Sequence, residues 1–469
     1  MNPILVKTLE LVLALSILVF IHELGHYTFS RIFGVWVEKF YLFFNPWFTV
    51  VKWKAGKYMK WLSHGKEMGA DEEARNDNEN KRSWRATEYG IGWLPLGGYC
   101  SISGMIDESM NTEQMKQPAK PWEFRSKPAW QRLLIMVGGV LFNFLLAVLI
   151  YIGIAHFHGE DVVRFADATQ GMEFCDAALK VGFQNGDILL AADGKPLEYL
   201  NDEAKQQILH AESVTVLRNH RDTVTIHLDS HKFEQLVKDA GDPLMAYRLP
   251  VFVDETSGNG GAAQAGLRHG DEITAIEGEM VSDYPHFTQM LMNHKGQDVT
   301  ISLQRNGEKM NVKAKVDDDG KLGFRLLPYN KAYKSQRITY GLLASIPHGV
   351  AMGWDRMTQY VASLKMIFTP EGAKSLGGFG AIGSIFPSSW DWPEFWAMTA
   401  FLSIILAVMN ILPIPALDGG YVLFLLIEMI TGHKFGEKFM ERAVTIGMVL
   451  LIALLVFANG NDIYRYIFK

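Results

Sequence analysis

The chemistry in this chain starts with His22-Glu23-Leu24-Gly25-His26. On a helix, positions i and i+4 share a face, so both imidazoles reach one ion. Glu23 lies about a quarter turn away, where it takes a proton from water held at that ion. Two histidines leave the set incomplete, because a catalytic zinc takes three protein ligands and keeps one position open. The third is expected in Asn410-Ile411-Leu412-Pro413-Ile414-Pro415-Ala416-Leu417-Asp418-Gly419, where two prolines break a helix just before an acid. Irregular backbone at membrane depth is tolerated where it lines a buried or wet cavity, which suits Asp418 as a ligand. The plainer alternatives are a helix end at the prolines and Asp418 as the cap of a helix beginning near Tyr421. A third segment, Gly139-Val140-Leu141-Phe142-Asn143, carries an amide able to hold a substrate backbone. Gly138 and Gly139 let helices approach closely, and packing alone is the competing reading.

These groups have to be positioned by membrane helices. The chain has 469 residues, 48% of them hydrophobic, and the apolar runs sit at both ends around a polar middle. Four spans are expected: Ile4–Phe33, Leu133–Ala155, Phe395–Leu417, and Ala443–Ala458 with its flanks, each approaching the ~20 apolar residues needed to cross a bilayer. The run Tyr421–Ile430 is too short and reads as a helix packed beside them. Ionisable groups inside a span are costly and functional by default; the alternative ends span one before His22 and leaves the histidines at the interface. Lys and Arg are abundant between spans one and two, and Lys434, Lys438 and Arg442 lie between spans three and four, so both links are expected on the cytoplasmic side. Both termini and the stretch 156–394 then lie outside, and His22, His26, Asn143 and Asp418 fall at one depth toward the cytoplasm. Two cysteines, Cys100 and Cys175, exclude a disulfide framework and a Cys-rich zinc site, and they are expected on opposite sides of the membrane. A net charge of −6 gives no sign of nucleic-acid binding.

The polar middle contains a duplicated unit. Ala178-x-x-x-Gly182-Phe183-x-x-Gly186-Asp187 with Asp193-Gly194 returns as Ala262-x-x-x-Gly266-Leu267-x-x-Gly270-Asp271 with Glu277-Gly278, offset by 84 positions throughout. Short β-branched runs and turn signals such as Asn306-Gly307 follow each copy. The pattern suggests two small β-rich domains of the PDZ type, which bind peptides by adding a strand to a sheet edge. Any duplicated β-domain is the alternative.

Taken together, His22-Glu23-Leu24-Gly25-His26, Gly139-x-x-x-Asn143, Asn410-x-x-Pro413-x-Pro415-x-Leu417-Asp418-Gly419 and Pro95-Leu96-Gly97-Gly98-Tyr99 resemble the site-2 protease family of intramembrane zinc metalloproteases, most closely its bacterial sigma-E-regulating type with tandem PDZ domains. The resemblance covers essentially the whole chain. It implies that His22, His26 and Asp418 bind Zn2+, that Glu23 is the base, and that Asn143 and Asn410 contact substrate or shape its site. It places Leu96, Gly97, Gly98 and Tyr99 in a membrane-associated β-structure whose edge pairs with unwound substrate. Implied substrates are pre-trimmed single-pass membrane proteins, anti-sigma factors and remnant signal peptides, in the cell inner membrane. Where the family carries a Ser-Gly-Pro-x-Gly-Ile-like sequence, this chain has the glycine-rich Ser375–Gly383, without that proline.

The expected fold is a polytopic α-helical membrane protein of four transmembrane helices with a membrane-associated β-segment, plus two β-rich PDZ-like domains. Its expected divisions are a first helix (1–33), the β-segment and link (34–129), a second helix (130–157), PDZ-like domains (158–245 and 246–330), an amphipathic link (331–392), a third helix carrying the Asp ligand (393–419), a short helix and cytoplasmic link (420–442), and a fourth helix (443–469). Two other classes use the same residues differently. A membrane-anchored PDZ scaffold with a non-catalytic metal site binds without cleaving. A metal transporter spreads polar groups along a route across the bilayer, whereas here they cluster at one level.

Overall fold

The computed structural model describes residues 2–54, 58–64, 84–95, 97–105, 117–240, 243–258, 260–365 and 377–468. It divides into two units, Met1–His158 with Tyr340–Lys469, and Gly159–Thr339.

The first unit is helical around one sheet. Among the described residues its helices are α1 (Pro3–Ile32), α2 (Ala129–Phe157), α3 (Leu342–Ser363), α4 (Phe379–Ile385), α5 (Trp392–Ile411), α6 (Asp418–Thr431) and α7 (Glu437–Phe468). Among the described residues, four segments are long and apolar enough to cross a membrane: α1, α2, α5, and Lys438–Tyr464 of α7. The starts follow local chemistry. The Asn2 side chain accepts from the Ile4 N–H and Pro3 occupies the first turn of α1; Asp391 Oδ1 accepts from the Glu394 N–H at the start of α5. Helix α2 is the hub, with α1, α3, α5 and α6 packed against it. Its contact with α1 depends on glycine, since a Cβ on Gly25 would lie 2.2 Å from Gly138 O. Helix α3 meets α2 the same way: a Cβ on Gly349 would lie 2.5 Å from the Ile152 nitrogen, while Leu343, Val350 and Trp354 face outward.

The expected boundaries need correction at three places. Span three ends at Ile411 instead of Leu417, because Pro413 has no N–H to continue the ladder and disfavours helical backbone at the residue before it. Asp418 therefore opens α6, instead of closing span three. The final helix starts at Glu437, so Glu437–Arg442, assigned to the link, are already helical. Third, the segment expected as the beginning of a link at 331 includes the strand Ser335–Ile338, which pairs with Glu160–Val163 inside the second unit.

The sheet of the first unit comprises β1 (Val37–Leu42), β2 (Phe44–Lys54), β3 (Tyr58–His64), β4 (Glu88–Leu94) and β5 (Tyr99–Ile102), in the order β3-β2-β4-β1-β5. β1 runs parallel to β4 and antiparallel to β5, with Phe40 opposite Cys100 and Tyr41 opposite Tyr99. β5 lies at the edge.

The second unit holds two lobes with separate cores. The first is built around Phe165, Met172, Phe183, Val214 and Phe233. The second surrounds Val253, Ile273, Phe287 and Ile301. The 84-residue repeat has a structural cause. In each copy a buried aspartate accepts from an arginine of a neighbouring strand, Asp187 from Arg218 at 2.7 Å and Asp271 from Arg305 at 2.6 Å. Each also accepts from the backbone N–H three residues earlier, Gln184 or Arg268. Burial raises the Asp271 carboxyl, but these donors outweigh it and hold the group below its ordinary range. Asp193-Gly194 and Glu277-Gly278 all have positive φ, as a tight hairpin turn with two left-handed residues requires.

Candidate metal centre

His22 Nε2, His26 Nε2 and Asp418 Oδ2 form a nearly equilateral triangle, with sides of 3.2 Å between the imidazoles, 3.2 Å from His22 to Asp418 and 3.3 Å from His26 to Asp418. Ligands about 2.0 Å from a tetrahedral zinc lie about 3.3 Å from one another, so the triangle has the size of one face of such a site. Among the described residues this is the one group of three or more His, Cys, Asp or Glu side chains so arranged. Asp418 Oδ2 is buried and has no hydrogen-bond partner. An orphaned carboxylate oxygen facing two imidazole nitrogens fits a cation, and a divalent metal is the species these donors suit.

The far side of His26 is fixed. Its Nδ1 donates to the carbonyl of Ile135 on α2 at 2.9 Å. A carbonyl only accepts, so Nδ1 carries a proton, and in the neutral ring that a metal requires the Nε2 lone pair faces the triangle. The two rings meet edge to face, 4.8 Å apart at 85°. Glu23, half-buried, has the Asp418 carboxylate and both imidazoles within electrostatic range, and the backbone of β5 at Cys100 supports its carboxylate by a hydrogen bond.

Asp418 reaches this depth through the break between α5 and α6. Pro413 and Pro415 stop the helix, and Ala416 takes the left-handed region at φ 82°, a conformation that costs a non-glycine residue roughly 1 kcal/mol or more. The first turn of α6 then folds tightly onto the loop. A Cβ on Gly419 would lie 2.1 Å from Leu412 O, and one on Gly420 2.6 Å from Ile414 O. From the other side α7 presses with Gly447, whose added Cβ would lie 1.6 Å from Pro415 O. The capping alternative for Asp418 does not hold, since it begins α6 and Oδ2 accepts from no N–H.

The structure brings Gly139 and Asn143 of α2 to the same triangle. A Cβ on Gly139 would sit 2.6 Å from both His22 Cε1 and His26 Nε2. Gly139→Val is therefore expected to weaken zinc binding at least tenfold with the helical fold retained, measured by chelator competition and far-ultraviolet dichroism; unchanged affinity would contradict the contact. Asn143 is fully buried, with Nδ2 3.3 Å from His22 Nδ1. On this side the amide meets the first histidine. Asn410 lies in the last turn of α5, half-buried, with no side-chain hydrogen bond among the described residues. Tyr99 stacks on Tyr41 at 5.1 Å and donates to Asn45 Oδ1. A Cβ on Gly98 would lie 2.6 Å from Tyr41 O, and one on Gly97 the same distance from the Phe44 ring. Leu96 is outside the described residues.

Sequence reasoning missed four contributors. Ile135 acts through its carbonyl, which leaves no side-chain signal. Ser403 donates to Asn143 O at 2.7 Å, and a hydroxyl in an apolar span was its one clue. Gly25 and Gly447 matter through the absence of a side chain. Of the glycine-rich segment, Gly377 onward is described, and it does not adjoin the triangle. Asp462 Oδ2 of α7 accepts from the Gly378 and Ala381 N–H groups, and a Cβ on Gly383 would face Leu11. Leu11 precedes His22 by eleven positions on α1, about 16 Å along the axis.

Comparison with known proteins places this geometry. The profile of Peptidase family M50 matches residues 10–64 and 79–454. The chain is 26% identical to the "Regulator of sigma-E protease RseP" of Salmonella typhimurium, over 99% of this chain and 100% of the relative. It is 25% identical to the Escherichia coli protein of the same name, over 97% of each. A "Putative zinc metalloprotease" of Neisseria meningitidis is 25% identical over 97% of this chain and 98% of its own length. With a match that runs through the histidine pair, the α2 glycines and the broken α5–α6 turn, the chain belongs to peptidase family M50.

Proposed function

We propose that this zinc metalloprotease of regulated intramembrane proteolysis holds its metal on His22, His26 and Asp418 and uses Glu23 as general base and acid. The observation that carries the reading is the triangle of ligand atoms, of tetrahedral zinc size, assembled from α1 and α6 at a buried level of membrane helices. Zinc bound there supplies a Lewis acid that polarises the attacking water and the scissile carbonyl. Glu23 accepts the proton that water loses and returns it to the leaving amine nitrogen. The Cys100 backbone supports that carboxylate.

The substrates proposed are transmembrane segments of single-pass proteins already trimmed outside the membrane, of the anti-sigma-factor and signal-peptide-remnant kind. A helical peptide bond is shielded by its own hydrogen bonds, so the segment has to be extended before water attacks. β5, the last strand in the sheet order, with Tyr99 at its start and Leu96, Gly97 and Gly98 just before, is the strand proposed to pair with it; Asn410 is the side chain proposed to hold it beyond. The duplicated lobes are read as PDZ-type. Support comes from the second, where the strand Phe324–Leu326 ends its sheet beside the helix Tyr284–Asn293, with Phe287 against Phe324 at 5.9 Å. Such an edge suits an added peptide strand. The protein is proposed to sit in the inner membrane with lobes and termini outside and the metal toward the cytoplasm, in keeping with the distribution of Lys and Arg.

The test is cleavage of one single-pass reporter made with and without a folded outer domain. The trimmed form is expected to be cut at least tenfold faster by the full chain in bilayers. Equal rates would sink the trimming requirement, and no cleavage of either form would count against the substrate class.

A further inference from the structure

We infer that Asn143 is a positioning residue for the metal ligand His22, with its amide oxygen accepting the His22 Nδ1 proton; this deepens the proposed site and rests on it. The two histidines are held from behind by the same helix. On His26 the partner is unambiguous, the Ile135 carbonyl at 2.9 Å, and it sets which nitrogen faces the metal. On His22 the equivalent position is filled by the Asn143 amide, 3.3 Å from Nδ1. His22 Nε2 is the corner of the ligand triangle, so it presents a lone pair and the proton belongs on Nδ1. An Nδ1–H facing an amide NH2 sets donor against donor. A half-turn of the amide exchanges its oxygen and nitrogen and makes the contact a hydrogen bond.

Three observations support that arrangement. Asn143 Oδ1 is buried without a partner in the opposite amide orientation, in which Nδ2 faces the histidine. The residue is fully buried, so no solvent acceptor competes for the imidazole proton. Its backbone is pinned by Ser403 of α5, whose hydroxyl donates to Asn143 O at 2.7 Å. Helix α2 therefore supplies both acceptors behind the histidine pair, at positions eight residues apart and on the face that packs against α1. The turned amide leaves its NH2 as a donor on the side away from His22, compatible with a further contact to substrate.

The experiment is zinc affinity of the full-length protein in detergent, by chelator competition, for wild type, Asn143→Leu, Asn143→Ala and Asn143→Asp. Aspartate keeps an acceptor oxygen, whereas leucine and alanine do not. Asn143→Leu and Asn143→Ala are expected to weaken zinc about 10- to 100-fold, the usual range for losing the partner behind a metal-bound histidine. Asn143→Asp is expected to stay within about threefold of wild type. Wild-type affinity in Asn143→Leu or Asn143→Ala overturns the inference, as does an Asn143→Asp protein that loses as much zinc as they do. Should leucine prevent folding, judged by dichroism, the alanine and aspartate pair decides. His22→Ala separates the two readings: if it binds zinc like wild type, the metal site itself is wrong.

Discussion

Glu23→Gln is expected to bind zinc as wild type does and to cleave a single-pass reporter at least about a thousandfold more slowly. The substitution keeps the side chain's size and its hydrogen bond to the β5 backbone while removing the group that accepts a proton. General acid–base catalysis is worth roughly 10²- to 10⁴-fold, and here one carboxylate serves both the attack of water and the departure of the amine. The effect belongs in kcat, because Glu23 is not among the three ligand atoms of the triangle. Single-turnover cleavage in bilayers, with zinc content measured on the same preparation, tests it. A Glu23→Gln protein cutting at the wild-type rate would remove Glu23 from the mechanism. That result would favour a membrane-anchored scaffold with a structural metal, or another base.

Asp418→Ala is expected to lose zinc as well as activity. Losing a partner behind a ligand costs about 10- to 100-fold in affinity, and losing a ligand exceeds that. Stability gives a second readout. Zinc at a hundred times the wild-type Kd stabilises the folded protein by about 2.7 kcal/mol, whereas a variant with a hundredfold weaker site gains about 0.4 kcal/mol. Thermal unfolding with and without zinc should therefore separate wild type from Asp418→Ala. An equal zinc-dependent shift in both would mean that the aspartate is not a ligand.

Much of this site was legible in the sequence because its signals are local. The spacing of His22 and His26 needs only helical geometry, and prolines before Asp418 announce a break in an apolar segment. The duplicated lobes could be read because their glycines and acids serve turns and buried ion pairs with fixed chemistry, such as Asp271 with Arg305. Other features left no such mark. The helix break moved Asp418 from the end of one helix to the start of the next, a boundary that depends on how the loop satisfies its own backbone. Ile135 holds His26 through a carbonyl that any residue carries. The contact of Asn143 with His22 depends on the packing of α2 on α1, which an amide within an apolar run does not announce. The close approach of α3 to α2 through Gly349 and Gly353 was hidden because small residues carry no periodic apolar signal of their own.

Zinc per polypeptide, measured by elemental analysis after identical dialysis of wild type, Glu23→Gln and Asp418→Ala, tests the proposed centre most directly. One zinc in wild type and Glu23→Gln, and almost none in Asp418→Ala, is the expected result. An Asp418→Ala protein retaining one zinc would contradict the site built from His22, His26 and Asp418.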